Sequence, residues 1–260
     1  MYLYLSKLNY LFENFLRKIF PKTIYIKIFY AKNKLLGLDN SFKHFTNEQI
    51  FENIYKNATW GRDESGNATS GDSSHLISNL KPYIETIEDF LGKKKKYSLL
   101  DIGCGDFNVG KNFVKFSNSF IACDISNIIL KRNREKYFDK NVKFNRLNIT
   151  KDKLPKVEVA FIRQVLQHLS NEDIKKFVNR IKNENPFEYL IVTEHVSINK
   201  GYKPNLYKPS GPGIRIGINS GIELDKSPFN LPYAKKRVLL EIPQIEGEFE
   251  SSIKTTMYHF

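Results

Sequence analysis

The chain is a succession of short apolar runs and longer segments in which apolar residues recur every three to four positions. Runs such as 97–102 and 187–193 have the length and composition of strands that are buried on both faces. Segments such as 126–137 and 171–183 have the period of amphipathic helices. Because strands that alternate with helices pair in parallel through right-handed crossovers, the pattern predicts a doubly wound α/β fold.

Seven strands are predicted in this way, five in the alternating part and two at the end of the chain. The strand predictions are 97–102, 119–124, 142–147, 157–162, 187–193, 236–242 and 251–259. The helix predictions between them are 74–91, 108–116, 126–137 and 171–183. The fold class is therefore α/β, with a mostly parallel seven-stranded sheet and an N-terminal helical extension.

The predicted extension comprises residues 1–57, which precede the alternation, and we separate it from a domain at 58–260. Residues 3–20 have one apolar helical face, and 46–57 predict a second helix. The basic, aromatic arm at 1–40 has two interpretations. It either lies on a membrane surface or, as we favour, packs against the domain or a second subunit.

Composition adds a strong basic excess, since Lys and Arg number 41, Asp and Glu number 28, and the formal net charge is +13. Most of the positive residues are Lys, whereas bidentate recognition of phosphates and bases favours Arg. We therefore favour a solvated lysine surface and expect no nucleic-acid partner. An anionic partner, which would be a phosphorylated or nucleotide-linked molecule, a nucleic acid or a membrane, is the alternative.

Location follows from cysteine usage and from the apolar runs. Cys104 and Cys123 lie inside predicted core elements and form no disulfide framework, as in a reducing cytoplasm. No apolar run reaches about 20 residues, the length of a spanning helix. Glu13, Arg17 and Lys18 interrupt the N-terminal run, which does not fit a signal peptide. The expected location is the cytoplasm, with peripheral contact at the inner membrane face as the alternative.

The strongest chemical signal is a strand that ends in an acid and two spaced glycines. The run LLDIGCGDF contains Asp101, Gly103 and Gly105. Glycine lets the backbone turn tightly and approach a ligand, and ligands of open α/β sheets bind beyond the carboxyl ends of the strands. Phe107 occupies the place of the third glycine in a dinucleotide fingerprint, so a nicotinamide dehydrogenase is disfavoured.

A second acid, Asp124, ends the next predicted strand. A carboxylate at this place can accept hydrogen bonds from both hydroxyls of a ribose. The alternative is a helix N-cap, because a helix is predicted to begin just after it. With the glycine motif one strand earlier, the ribose role is the better interpretation.

The order of these motifs resembles that of class I S-adenosylmethionine-dependent methyltransferases over about residues 74–194. The resemblance adds the triplet NIT at 148–150 and the segment RQVLQHL at 163–169. It implies a Rossmann-like fold and S-adenosylmethionine as the cofactor, with the methionine part at the first motif, the ribose at Asp124 and the adenine after the third strand. Asn148 replaces the commoner Asp and can face the adenine amino group through its carbonyl. The cofactor residues implied are Asp101, Gly103, Gly105, Asp124, Asn148, Ile149 and Gln164.

A narrower resemblance is to methyltransferases encoded in bacterial capsule and surface-polysaccharide clusters. It rests on the sequences WG at 60–61, TEH at 193–195, GPGIR at 211–215, NSG at 219–221 and PFNL at 228–231. It implies methylation of a sugar, a nucleotide-linked sugar or a small phosphorylated group such as a phosphoramidate.

Two irregular stretches beside the strand ends are predicted to be lids. The Gly- and Ser-rich loop 58–74 is expected to cover the cofactor, and the Gly- and Pro-rich stretch 195–232 is expected to cover the substrate. The cofactor lid contributes the candidates Trp60, Ser70, Gly71 and Ser74. The substrate-binding candidates are Arg163, Glu194, Arg215 and Phe229.

A sugar hydroxyl is a weak nucleophile at neutral pH, so a base is expected beside it, and histidine is the usual choice. His195 follows the fifth predicted strand and His168 follows the fourth. We favour His195 as the base and keep His168 as the rival. No spacing of His, Cys, Asp or Glu demands a metal, so no metal site is predicted.

Two other functions stay open. A nucleic-acid methyltransferase would explain the charge, but the segment RQVL lacks the Asn/Asp-Pro-Pro-aromatic pattern of enzymes that methylate base amino groups. A non-catalytic scaffold could reuse the fold, although the set of Asp101, Gly103, Gly105 and Asp124 indicates that the cofactor still binds. The sequence fits a small-molecule acceptor, and it leaves O- versus N-methylation and the oligomeric state open.

Overall fold

The computed structural model describes residues 42, 44–71, 74–92, 95–138, 141–246 and 249–260. The helices in these ranges are α1 (Asn47–Lys56), α2 (Ile77–Leu91), α3 (Asn127–Lys136) and α4 (Asn171–Glu184). The strands are β1 (Tyr97–Ile102), β2 (Ser117–Asp124), β3 (Lys143–Arg146), β4 (Val157–Arg163), β5 (Phe187–Ser197), β6 (Lys235–Glu246) and β7 (Phe249–His259). The predicted helix at 3–20 and the arm at 1–40 lie outside the described residues.

These strands form one sheet in the order β3-β2-β1-β4-β5-β7-β6. Strands β1 to β5 pair in parallel, and β7 runs antiparallel to both β5 and β6. The chain builds outward from β1 in one direction and from β4 in the other, so the strand order reverses between them. A crevice forms at the carboxyl ends of the strands at such a reversal. The predicted doubly wound, mostly parallel, seven-stranded sheet is confirmed.

Neighbouring residues of β1 serve cores on opposite faces of the sheet. Leu99 packs in a cluster with Tyr83 of α2, whereas Leu100 packs in a cluster with Phe177 of α4. Side chains alternate between the two faces along a strand. Both leucines are fully buried, so the helices on both faces hold the strand from which the glycine turn leaves.

Helix α1 is part of the second of these cores. It begins with a capping box in which Thr46 and Gln49 bond to each other's backbone N–H groups. Its residues Ile50 and Phe51 are buried against the same cluster as Leu100. The predicted division of the chain after residue 57 therefore passes between a core helix and the loop that follows it.

The predicted helix at 108–116 is wrong. The chain instead forms two 3-10 turns, Gly110–Asn112 and Val114–Phe116. Gly110 lies so close to the Asp101 side chain that a Cβ would overlap it. This contact holds the chain against the end of β1.

Strand β5 extends to Ser197, beyond its predicted end at 193, because it pairs with β7 from Tyr189 to Ser197. Glu194 and His195 therefore belong to the strand instead of following it. Adjacent strand residues project from opposite faces, so the two side chains enter different environments.

We expect Phe107→Ala to lower the free energy of unfolding by about 3–5 kcal/mol, because it opens a cavity in the core. Phe107 is fully buried, and its ring packs edge-to-face on Phe120 and Phe144. Phe138 is 85% exposed, so Phe138→Ala is the matched control and should change the value by less than about 0.5 kcal/mol. Urea denaturation measures both, and equal losses would contradict the assignment of Phe107 to the core.

Candidate active site

A cavity of about 340 Å³ lies at the carboxyl ends of β1, β2, β4 and β5. Small-molecule sites commonly have volumes of about 300–1,000 Å³. Most of the residues singled out from the sequence line this cavity. They are Trp60, Ser70, Gly71, Ser74, Asp101, Gly103, Gly105, Asp124, Asn148, Ile149, Arg163, Gln164, His168 and His195.

Three glycines shape the wall of the cavity around the end of β1. A Cβ on Gly103 would overlap the Val165 side chain, and one on Gly105 would overlap the Ser70 side chain. The third is Gly110, which also lines the cavity and which the sequence analysis did not identify. Gly110 allows close packing, as the third glycine of a dinucleotide fingerprint does, although it lies later in the sequence. Close protein packing therefore requires these glycines.

Asp124 is buried at the end of β2, with both carboxylate oxygens oriented by backbone N–H groups. The N–H of Gly105 donates to Oδ2 at 3.1 Å, and the N–H of Ser126 donates to Oδ1 at 2.9 Å. Burial raises the pKa of Asp124 to about 6, against the lowering effect of these hydrogen bonds. A carboxylate can accept about four hydrogen bonds, so Asp124 has capacity for the hydroxyls of a ligand.

The N-terminus of α3, which the sequence analysis gave to Asp124 as the alternative role, is capped by another acid. Glu52 of α1 accepts hydrogen bonds from the N–H of Asn127 and from the hydroxyl of Ser126, both at 2.8 Å. This cap comes from a distant part of the chain. Because Glu52 caps α3, the ligand role of Asp124 is favoured over the role of a helix cap.

Asn148 lines the cavity, but its side-chain amide is engaged within the protein. Its Oδ1 accepts hydrogen bonds from the N–H and the hydroxyl of Thr150, at 2.9 and 2.7 Å. Its Nδ2 donates to Glu48 at 2.7 Å. Burial would raise the pKa of Glu48, but hydrogen bonds, first that from Asn148, lower it to about 2. The prediction that the Asn148 carbonyl reads an adenine amino group is therefore corrected, because two donors already occupy that oxygen.

Asp101 and Arg163 are oppositely charged residues on the two strands at the centre of the crevice. Burial, followed by the charge of Asp124, raises the pKa of Asp101 to about 7, and Arg163 acts in the opposite direction. The Arg163 guanidinium lies 5.1 Å from the centre of the Tyr83 ring. Its Nη1 donates to Ser74 Oγ at 3.4 Å and to Gln164 Oε1 at 3.1 Å.

The loop predicted as the cofactor lid is anchored to the domain through Ser70. The backbone N–H of Ser70 donates to Asp106 Oδ2 at 3.1 Å, and the N–H of Asp106 donates to Ser70 Oγ at 2.8 Å. Arg132 of α3 also donates to the carbonyl of Ala68 at 2.7 Å. The described part of the loop therefore forms a fixed wall over the glycine turn.

Trp60 joins this loop to the predicted substrate lid. Its ring centre lies 4.9 Å from that of His168 and 5.7 Å from that of Tyr55. Its Nε1 donates to the carbonyl of Pro212 at 3.4 Å. Pro212 and Ile214 line the same cavity, so both predicted lids contribute to its wall.

The two candidate bases occupy different surroundings. His168 is buried, with Nδ1 3.2 Å from the carbonyl of Gly213 and Nε2 3.4 Å from Gln167 Nε2. His195 is half-buried on the cavity wall, with Nδ1 3.4 Å from Gln164 Nε2.

Glu194 and Arg215, predicted to bind substrate, are buried in a structural network and do not line the cavity. The Glu194 carboxylate accepts hydrogen bonds from the backbone N–H groups of residues 165–167, at 2.8–3.1 Å. The Arg215 guanidinium donates to the carbonyls of Leu206, Leu166, Gln167 and Leu169 and to Asn171 Oδ1. The substrate assignment of both residues is corrected, because these protein groups take up their hydrogen-bonding capacity.

Phe229 is the third correction among the substrate candidates. Only 2% of it is exposed, and it packs in the cluster that contains Ile222, Leu224 and Leu231. An aromatic residue in a Gly- and Pro-rich stretch resembles a sugar-stacking residue in sequence. Here it anchors that stretch to the core.

Within the described ranges, no group of three or more His, Cys, Asp or Glu side chains is arranged to hold a metal ion. The same residues form no helix that is both long enough and apolar enough to cross a membrane.

Residues 100–183 match the model of a methyltransferase domain family. No curated protein matches the chain. Among solved structures, the chain is similar to the N-methyltransferase NodS from Bradyrhizobium japonicum WM9, solved in complex with S-adenosylhomocysteine. The two are 10% identical with a TM-score of 0.53, and the match covers 80% of this chain and 98% of that one.

A second similar structure is the N-terminal domain of EvdMO1, solved in the presence of S-adenosylhomocysteine and D-fucose. It is 12% identical to this chain with a TM-score of 0.50, and the match covers 84% of this chain and 99% of that one. At these identities both structures bear on the fold alone. The family match over residues 100–183 supports an enzyme of the methyltransferase kind, and the fold agrees with it.

Proposed function

We propose that this protein transfers a methyl group from S-adenosylmethionine to a hydroxyl of a small-molecule acceptor. The acceptor we favour is a sugar, a nucleotide-linked sugar or a small phosphorylated precursor of a bacterial surface polysaccharide. The proposal rests on one cavity whose lining combines the buried carboxylate of Asp124 and the glycine turn with His195 and Gln164.

The chemistry of the cavity wall suits the cofactor. Asp124 is a buried hydrogen-bond acceptor suited to ribose hydroxyls, and its orientation is fixed by two backbone donors. The turn that carries Gly103 and Gly105 is open on its cavity side and would hold the methionine part with Ser70 and Ser74. Ile149 lies where the adenine would pack, after β3.

We assign an aromatic, neutral part of the cavity lining to the acceptor and call it the acceptor end. It comprises Trp60, Gln164, His195, Pro212 and Ile214. Aromatic faces pack against the apolar faces of sugar rings, while a few polar groups fix the orientation of a ligand. This lining favours a sugar hydroxyl as the reacting group. The assignment to surface-polysaccharide synthesis rests on the sequence resemblance.

When bound, S-adenosylmethionine would supply an activated methyl group on a sulfonium sulfur. The leaving group is then a neutral thioether, which needs no proton. The protein must hold the acceptor oxygen in line with that methyl group, and such positioning can supply much of the rate enhancement. Arg163 donates to Gln164 Oε1, which turns the amide nitrogen of Gln164 towards His195 Nδ1. The single lone pair of Nδ1 faces this amide across 3.4 Å, and an acceptor hydroxyl that takes the place of the amide there would pass its proton to Nδ1.

His168 is the poorer base. Burial, assisted by the charges of Lys208 and Arg215, lowers its pKa to about 3. Because its Nδ1 faces the carbonyl of Gly213, that nitrogen carries the proton of the neutral ring. A neutral, weakly basic imidazole that packs on Trp60 suits a positioning role better than proton transfer.

We expect the folded protein to bind S-adenosylhomocysteine and Asp124→Ala to weaken that binding at least about 10-fold, since charge-assisted hydrogen bonds are lost. Asp89→Ala on the exposed face of α2 is the control and should bind like the wild type. Isothermal titration calorimetry measures all three proteins. A well-folded wild type that does not bind S-adenosylhomocysteine would overturn the proposed function.

A second prediction concerns catalysis by His195. We expect His195→Asn to lower kcat by about 10²–10⁴-fold, the usual contribution of a general base. The affinity for S-adenosylhomocysteine should stay within about twofold of the wild type, because the change lies at the acceptor end. Formation of S-adenosylhomocysteine is followed with a panel of free, nucleotide-linked and phosphorylated sugars. The exposed His44→Asn is the control, and unchanged kcat in His195→Asn would exclude this residue as the base.

A third prediction uses the low pKa of His168. The unfolded chain binds a proton near pH 6.5 and the folded chain only near pH 3, so stability falls as the pH drops through this window. Between about pH 6.5 and about pH 5, we expect the wild type to lose about 1.5 kcal/mol more free energy of unfolding than His168→Gln. Urea denaturation at the two pH values measures the difference, with His44→Gln as the control. Equal losses in the wild type and His168→Gln would show that His168 is not held neutral.

A further inference from the structure

Arg163 was predicted to bind substrate, but its position in the sheet directs it towards the end of β1. Asp101 of β1 pairs in register with Phe161 of β4. Arg163 lies two residues after Phe161, so it projects from the same face as Asp101. Helix α2 covers that face, and the guanidinium lies over the Tyr83 ring of this helix.

The hydrogen bonds of Arg163 lead to the same region. Its Nη1 donates to Ser74 Oγ at 3.4 Å. The carbonyl of Ser74 accepts a hydrogen bond at 2.8 Å from Asn108, which belongs to the turn that leaves β1. Arg163 is thus connected through Ser74 to the glycine turn, where the sequence motif indicates the methionine part of the cofactor.

The charges at this place form a half-buried pair of opposite sign. Arg163 is the only Lys or Arg among the described residues that line the cavity, and Asp101 lines it nearby. Each influences the ionisation of the other, which shows that they lie within electrostatic reach. The amino-acid end of the cofactor carries one ammonium and one carboxylate, so its two charges match this pair in number and sign.

We propose that Arg163 binds the carboxylate of the cofactor's methionine part, with Asp101 beside its ammonium group. The inference rests on the proposed function, because it assumes that S-adenosylmethionine is the cofactor. It moves Arg163 from the acceptor site to the cofactor site. The acceptor end of the cavity is then left with neutral side chains.

The test compares S-adenosylhomocysteine with its decarboxylated analogue, 5′-deoxy-5′-(3-aminopropylthio)adenosine, by calorimetric titration. In the wild type, S-adenosylhomocysteine should bind at least about 10-fold more tightly, since only it has the carboxylate. Arg163→Met should weaken S-adenosylhomocysteine binding by about 10- to 100-fold and leave binding of the analogue within about threefold. Arg163→Lys keeps the charge and should lie between the two. The control is Arg237→Met on the exposed edge strand β6.

The outcomes separate the two proposals. Equal affinity of the wild type for both ligands overturns the role of Arg163 without any variant. Equal weakening of both ligands in Arg163→Met overturns it too, because a merely structural role does not distinguish them. Absence of binding of both ligands to the folded wild type overturns the proposed function itself. If Arg163→Met does not fold, the wild-type comparison and Arg163→Lys still decide the question.

Discussion

The turn after β4 is held between the buried charged side chains of Glu194 and Arg215, which we call the clamp. The arrangement of the site depends on it. Glu194 of β5 accepts hydrogen bonds from the N–H groups of residues 165–167 on one side. Arg215 donates hydrogen bonds to the carbonyls of Leu166, Gln167 and Leu169 from the other side. Burial raises the pKa of Glu194, the N–H donors and Arg215 oppose this rise, and burial lowers the pKa of Arg215 to about 10. A charge left alone in such a place costs several kcal/mol, so the two residues stabilise the turn only as a pair.

Strand β5 contributes both to this clamp and to the cavity wall. Because β5 runs on to Ser197 beside β7, Glu194 and His195 are successive strand residues that face opposite ways. Glu194 points under the turn, and His195 reaches the cavity. A shift of one residue in the register of β5 would exchange the two and would bury the histidine under the turn. The length of the β5–β7 pairing therefore fixes where the candidate base lies.

Sequence patterns predicted the parts of the site that depend on local order. The alternation of strands and helices gave the sheet, and the positions of Asp101 and Asp124 at strand ends brought both to one cavity. The predictions that failed concern side chains whose partners are distant in the chain. The carbonyls that surround Arg215 come from separate segments, and the amide of Asn148 is occupied partly by Glu48 of α1. No spacing in the sequence encodes such contacts.

The same reasoning accounts for the helix that did not form and for the cap that was missed. Gly110 closes tightly on Asp101, so the segment after the glycine turn bends back to the sheet instead of continuing as a helix. Glu52 caps α3 from α1, which a local search around the start of α3 cannot find. In both cases a tertiary contact overrides the local preference of the segment.

The distribution of charge bears on the kind of acceptor. The chain carries a net charge of +13, yet no lysine lines the cavity in the part of the chain that the structure describes, and the charged groups on its wall are Asp101, Asp106, Asp124 and Arg163. Among the described residues, the lysines that contribute to the basic excess therefore lie outside the cavity wall. A polyanion attracted to those lysines would find three acids and one arginine at the site, and the arginine lies beside Asp101. A phosphate at the reacting position would have to compete with those acids for it, whereas a neutral hydroxyl needs no cation. The charge pattern thus favours an acceptor whose reacting part is uncharged, even if a phosphate or nucleotide elsewhere in the same molecule contacts the lysine-rich surface.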